Sequence, residues 1–258
     1  MFMFRTWAAL ERTLEFNGKS RLDLKNISMT ALELTKCLKE QDEQCNTPLH
    51  LACKSGDLSL VNLFLRVSKK LNLIGKNVQI TEGSKCLLES KDDSEQTPLF
   101  VAVKHGHLEV VKILCKENKE LADQKDYSWN TPLHIAAKCG KFDIVKELVI
   151  GDSKVEVNAL NHANLTALDH AADAGHLEIC EFLIDEGSEI DPKDLVNMTP
   201  LLLAAKNGHK RVLKMLLDNG ANAKSKTQRN EEWVVCPLSG VNQGKKKKIY
   251  KGGLRVHP

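Results

Sequence analysis

The chain has 258 residues, 42% of them hydrophobic but only 5% aromatic, so aliphatic and small side chains must fill any large core. Lys and Arg total 37 against 34 Asp and Glu, a net charge of +3, which argues against a specific nucleic-acid binder. No apolar run reaches the roughly 18 residues of a membrane span, and Arg5, Glu11 and Arg12 interrupt the apolar N-terminus, so neither membrane insertion nor a secretory signal is predicted.

Residues 1–41 have a weak helical pattern. Apolar side chains recur at helical spacing at Phe4, Trp7, Leu10 and Leu14. The segment Thr30-Ala31-Leu32 faintly resembles a motif that returns later in the chain. We therefore expect residues 1–41 to be a helical or degenerate capping segment.

Residues 42–224 contain one motif five times. The copies begin at Thr47, Thr97, Thr131, Thr166 and Thr199 and read TPLHLACKSGD, TPLFVAVKHGH, TPLHIAAKCGK, TALDHAADAGH and TPLLLAAKNGH. The last three steps are 34, 35 and 33 residues, whereas the first is 50 residues because of an insertion at about residues 68–90. A period of about 33 residues with this content predicts a helical repeat array.

The positions of the motif have physical reasons. Thr is a good helix N-cap and Pro fits the first turn, while Leu and Ala, two and five residues after the Thr, share one helical face. A Gly nine residues after the Thr suits the left-handed end of a short helix, and a second amphipathic segment follows. Asp or Asn, five residues before each Thr, is expected to bond the backbone of a connecting hairpin.

The repeat resembles the ankyrin-repeat family. The resemblance implies an all-α, L-shaped solenoid of about five helix-loop-helix repeats, with a concave protein-binding face and a further degenerate N-terminal repeat. The family usually has Gly two residues before the Thr, and this chain has other residues there: Cys45, Glu95, Trp129, Asn164 and Asn197. Asn tolerates the left-handed conformation, so we expect irregular or strained hairpin tips at Cys45, Glu95 and Trp129.

The sequence contains no pattern that supports catalysis. His50 and His134 are expected to bridge backbone groups, and the once-per-repeat His107, His176 and His209 to bond turns. There is no nucleophile with a base at a supporting spacing, no phosphate-binding glycine loop and no zinc-type Cys/His spacing. We therefore predict no enzyme activity, catalytic residue, metal site or cofactor, and the eight cysteines without a C-x-x-C pair indicate reduced thiols.

Two sets of residues are candidates for binding a protein partner. The resemblance places variable contact residues seven positions after each Thr, where Asp173 occurs once and lysine four times, at Lys54, Lys104, Lys138 and Lys206. This row suggests a partner with an acidic surface, although it is equally consistent with a solvated face. Our second hypothesis is an apolar anchor on the hairpins formed by Tyr127, Trp129, Leu165, Val196 and Met198.

Residues 225–258 lack a periodic apolar face and include a lysine run at 245–248, so we expect a disordered basic tail. The repeat pattern ends near residue 226 without a C-terminal cap, which suggests a truncated or alternatively spliced product. The lysine run is part of a solvated tail, a nuclear-import address or a segment that binds an acidic surface.

The leading interpretation is a non-enzymatic, cytoplasmic or nuclear protein-protein interaction scaffold that binds through hairpin tips and the concave helix face. A weaker resemblance, to the N-terminal arrays of ankyrin-type transient receptor potential channels, implies a truncated cytosolic region of a cation channel. Such a region would be membrane-associated only within a longer channel. A third alternative is a targeting or regulatory subunit of an enzyme complex.

Overall fold

A computed structural model describes residues 38–75 and 87–223, and no β-strand occurs in these two ranges. The chain divides into two compact units, residues 1–114 and 115–258. The expected capping segment, apart from residues 38–41, and the expected basic tail lie outside the described residues, as do residues 76–86 of the insertion.

The described residues of the first unit include two pairs of helices. Helix α1 (Pro48–Ser55) is followed by α2 (Leu58–Gly75), and α3 (Pro98–His105) by α4 (Leu108–Glu117), which runs across the unit boundary. Helix α1 packs against both α2 and α3. Helix α2 has 18 residues, whereas α4 has 10, so the insertion begins as a continuation of the second helix of the first repeat.

Up to residue 223, the second unit contains a 3-10 helix and three helix pairs. They are the 3-10 helix Lys119–Asp123, α5 (Pro132–Lys138), α6 (Phe142–Ile150), α7 (Ala167–Ala174), α8 (Leu177–Asp185), α9 (Pro200–Asn207) and α10 (Lys210–Asp218). The first helices α5, α7 and α9 pack side by side in that order, and the second helices α6, α8 and α10 pack in a parallel row. The unit is therefore built of stacked helix-loop-helix repeats, as predicted.

Each first helix begins at the Thr of its motif. All five Thr residues have extended backbone, with ψ between 163° and 172°, which is the conformation of an N-cap. The Leu and Ala positions that the motif placed on one face are at most 1% exposed in every repeat. Because Ala has no side chain beyond Cβ, it lets neighbouring first helices approach closely.

The glycine that ends a first helix also makes room for the following repeat. Gly140 and Gly175 have φ of 68° and 81°. A Cβ on either would lie 2.5 Å from the ring of His176 or His209, respectively. Nε2 of His176 lies 3.2 Å from the carbonyl oxygen of Lys138, so the ring bonds the end of the preceding helix. The expected hydrogen-bonding role of these histidines is confirmed, and it connects successive repeats.

Candidate protein-binding surface

Five hairpin turns precede the first helices, and we number them 1 to 5: residues 42–46, 92–96, 126–130, 161–165 and 194–198. In each, the first N–H donates to the last carbonyl oxygen at 3.0–3.1 Å. In hairpin 3, Oδ1 of Asp126 accepts bonds from the backbone N–H groups of Ser128 and Asn130, both at 2.9 Å. Asp or Asn does the same in the other four, so the predicted anchoring role of these residues is confirmed.

The structure confirms the strained alternative of the expectation for Cys45, Glu95 and Trp129, whose backbone is left-handed, and the turns themselves are regular. Positive φ values of 56° to 60° occur at the fourth residue of every hairpin: Cys45, Glu95, Trp129, Asn164 and Asn197. The turns keep the same hydrogen bonds whichever residue occupies the fourth position, because the side chain of the first residue, Asp or Asn, accepts bonds from backbone N–H groups of the turn. The three non-Asn residues therefore carry conformational strain in a regular turn.

Hairpins 3, 4 and 5 are joined into a continuous row in the second unit. The N–H of His162 donates to the carbonyl oxygen of Ser128 at 3.1 Å, and that of Leu195 to Ala163 at 3.2 Å. The Asn161 side-chain amide also donates to Oδ1 of Asn130 at 2.8 Å. The backbone of the three tips is thus held in a fixed arrangement.

Buried histidines attach these hairpins to the helices. Nδ1 of His134 accepts the N–H of Thr131 at 3.1 Å, and its Nε2–H donates to the carbonyl oxygen of Leu165 at 3.0 Å. His50 makes the same bonds in the first unit, to Thr47 and Gln96. Burial lowers the pKa of both rings, which keeps them neutral for this bridging role. The structural interpretation of His50 and His134 is confirmed.

The fourth repeat has Asp169 where His50 and His134 stand. This side chain is fully buried, and its Oδ2 accepts the N–H and Oγ1–H of Thr166, both at 2.8 Å. Oδ1 is also buried and has no hydrogen-bond partner. Burial raises the pKa of Asp169 to about 7 and outweighs the two bonds from Thr166, which lower it.

The exposed face of the row carries large apolar side chains. Tyr127 is 74% exposed, Trp129 51%, Leu195 56% and Val196 51%. We call these four residues the tip strip. The Trp129 indole stacks on His162 with ring centroids 4.5 Å apart, and Nζ of Lys125 lies 4.8 Å from its centroid. The indole is therefore oriented by its neighbours while half of its surface faces solvent.

The tip strip overlaps only partly with the anchor predicted from the sequence. Leu165 and Met198 are half-buried at the ends of hairpins 4 and 5, where their carbonyl oxygens close the turns. Leu195, which the sequence hypothesis omitted, is more exposed than either. It occupies the same position in hairpin 5 as Tyr127 does in hairpin 3, and this correspondence in the repeat could have identified Leu195 from the sequence.

The four lysines of the predicted basic row are all exposed. Lys54 and Lys104 lie on the adjacent helices α1 and α3 of the first unit. In the second unit, Lys138 on α5 and Lys206 on α9 lie on either side of α7, which carries Asp173. The Asn207 amide donates to the Asp173 carboxylate at 2.7 Å. The row in the second unit is therefore interrupted by an acid.

Other features of the described residues concern buried thiols, metals and membranes. Burial raises the pKa of the thiols of Cys53, Cys115 and Cys180, which keeps them protonated. Within residues 38–75 and 87–223, no cluster of three or more His, Cys, Asp or Glu side chains is arranged to hold a metal ion. None of the helices in these ranges combines the length and apolar character needed to span a membrane.

Comparison with protein families identifies the repeat. The family model described as ankyrin repeats in three copies matches residues 25–122, 72–161 and 147–227. These matches together extend over most of the chain and include both units. A comparison with curated proteins gives no match.

Proposed function

Because the chain belongs to the ankyrin-repeat family, we propose that it is a non-enzymatic protein-binding module that contacts its partner through the tip strip. Members of this family generally mediate protein-protein interactions. The single observation that carries the proposal is the exposure of four large apolar side chains on hairpins 3 and 5, the two ends of one hydrogen-bonded row. Such a cluster on a rigid support is typical of a binding surface.

The backbone at Trp129 supports the same proposal. A non-glycine residue in the left-handed region costs about 1–2 kcal/mol, and glycine would adopt this conformation freely. Trp129 has φ of 60° within a regular turn and is 51% exposed, so the protein keeps this aromatic side chain at the surface at a local cost in stability. An aromatic side chain kept at a strained, exposed position favours a role in binding over a role in folding.

The rigid backbone of the hairpin tips also favours a role in binding. Hydrogen bonds between hairpins 3, 4 and 5 fix the backbone before a partner arrives. A preordered surface loses less conformational entropy on binding than a mobile loop, which raises affinity for a given contact area. The exposed lysines of the first helices form an additional contact region in this proposal, and the tip strip is the main one.

Affinity purification of full-length variants tests the proposal. The tip variant carries Tyr127→Ser, Leu195→Ser and Val196→Ser, and the matched control is Ile150→Ser, which removes a side chain that is 50% exposed at the end of α6. We expect proteins retained by the wild type and the control to be lost from the tip variant. Equal recovery by all three proteins would refute the proposal. The identity of the retained proteins also distinguishes a general scaffold from a channel region or an enzyme-targeting subunit.

A further inference from the structure

The tip strip is bordered by positive charge. Lys125 and Lys193 are both exposed, and each immediately precedes the acid that holds its hairpin. Those acids, Asp126 and Asp194, have Oδ1 directed to backbone N–H groups of the turn. The surface that a partner meets on hairpins 3 and 5 is therefore apolar with cationic side chains beside it.

We propose that the tip strip binds an extended acidic segment of a partner protein, in which carboxylates alternate with apolar side chains. This inference rests on the proposed function and specifies the chemistry of the partner. Nζ of Lys125 lies over the Trp129 ring, so an apolar side chain that contacts the exposed part of the indole brings a neighbouring carboxylate within reach of the ammonium group. Charge complementarity of this kind selects the partner and its orientation.

The length of the segment follows from the spacing of the repeats. Helices that pack side by side lie about 8–10 Å apart, so the row from hairpin 3 to hairpin 5 extends roughly 20 Å. An extended chain covers this distance with about six residues. Apolar side chains near both ends of such a segment would meet Trp129 and Val196, and carboxylates beside them would meet Lys125 and Lys193.

A second copy of the chain is a less suitable occupant. Hairpins 1 and 2 of the first unit offer exposed acids at Glu43, Asp93 and Glu95. Among the described residues of these two hairpins there is no large apolar side chain, and Glu95 is already paired with Lys91 at 3.3 Å. Hairpins 1 and 2 of a second copy would therefore supply charge without apolar contacts, whereas its own tip strip would supply apolar contacts bordered by lysines of the same sign.

Selection of random peptides displayed on phage against the full chain tests the inference. We expect the enriched peptides to combine Asp or Glu with Leu, Ile or aromatic residues. An enriched peptide should bind the Lys125→Glu, Lys193→Glu double variant about tenfold more weakly than the wild type, and added salt should reduce this difference. The matched control, Lys146→Glu with Lys214→Glu, reverses two exposed charges on α6 and α10 and should bind like the wild type.

Each other outcome overturns the inference. If enriched peptides lack acids, or the Lys125 and Lys193 variant binds normally while the serine tip variant does not, the partner is not acidic although the proposed function stands. If no peptide is enriched, or binding is insensitive to both variants, the acidic segment is refuted, and insensitivity to both argues against the tip strip as well. If light scattering shows a dimer that the charge reversal dissociates, the occupant is a second copy.

Discussion

Replacing Asp169 by Asn should stabilise the protein at neutral and alkaline pH. The pKa of Asp169 is 3.8 in the unfolded chain and about 7 in the folded protein, so ionisation of this side chain lowers the free energy of unfolding by roughly 4 kcal/mol. Asn keeps an oxygen for the Thr166 bonds and carries no charge, but buries an unpaired amide at a cost of about 1–3 kcal/mol. The net gain in the free energy of unfolding should be about 2 kcal/mol.

The pH dependence identifies the cause. Because the pKa of Asp169 is raised in the folded protein, the folded protein keeps a proton that the unfolded chain releases between about pH 4 and 7. The contribution of Asp169 to the free energy of unfolding therefore falls as pH rises through this range. Burial lowers the pKa of His170 to about 4 and also lowers that of His134. The stability that these two neutral rings contribute is therefore lost as pH falls below about 6.5, where the unfolded chain binds protons. Both proteins contain these histidines, so their effect cancels in the difference between variant and wild type.

Urea unfolding of full-length wild type and Asp169→Asn, followed by circular dichroism between about pH 4 and 8, measures this difference. We expect the variant to be less stable than the wild type by about 1–3 kcal/mol at the acidic end, where only the cost of the buried amide applies, and the difference to move in its favour until about pH 7. A difference that does not vary with pH, or a variant that is less stable at about pH 8, would refute the assignment of Asp169 as a buried, desolvated carboxyl.

Three further substitutions test packing and backbone assignments by thermal unfolding. Glu95→Gly should raise the free energy of unfolding by about 1 kcal/mol because it relieves φ of 57°, whereas Ser94→Gly in the same turn should give no gain. Ala136→Leu should lower it by about 1–3 kcal/mol, since the fully buried Ala136 has no room for a larger side chain, and an unchanged unfolding temperature would contradict this packing. Gly140→Ala should destabilise the protein because the added Cβ contacts the His176 ring. Adding His176→Ala to this variant should partly restore stability, so strictly additive effects of the two substitutions would rule out the contact.

The repeat fold could be predicted because its signals are local. A Thr N-cap, a Pro in the first turn, a small Ala on the packed face and a Gly at the helix end each act within a few residues of their own position. The same local rules predicted irregular or strained tips, and the strain occurs in turns that remain regular. At Trp129 the turn geometry is determined by Asp126, whose side chain bonds the backbone, and not by the residue that takes the left-handed conformation.

The binding surface was harder to predict because exposure depends on contacts between repeats. Val196 and Leu195 follow each other in hairpin 5, and only the structure shows that both face solvent while Met198 is half-buried. The environment of Asp169 was missed for a related reason. Its motif position indicates an N-terminal capping role, whereas its burial and its unpaired oxygen depend on the packing around it.

Photo-crosslinking shows directly whether the tip strip contacts the partner. Benzoylphenylalanine would replace Val196 in one full-length protein and the control residue Ile150 in another, and both would be irradiated with the retained partner. Both positions are about half exposed, so they differ in location and not in accessibility. We expect a covalent adduct with the partner from position 196 and none from position 150. An adduct from position 150 alone would contradict this expectation.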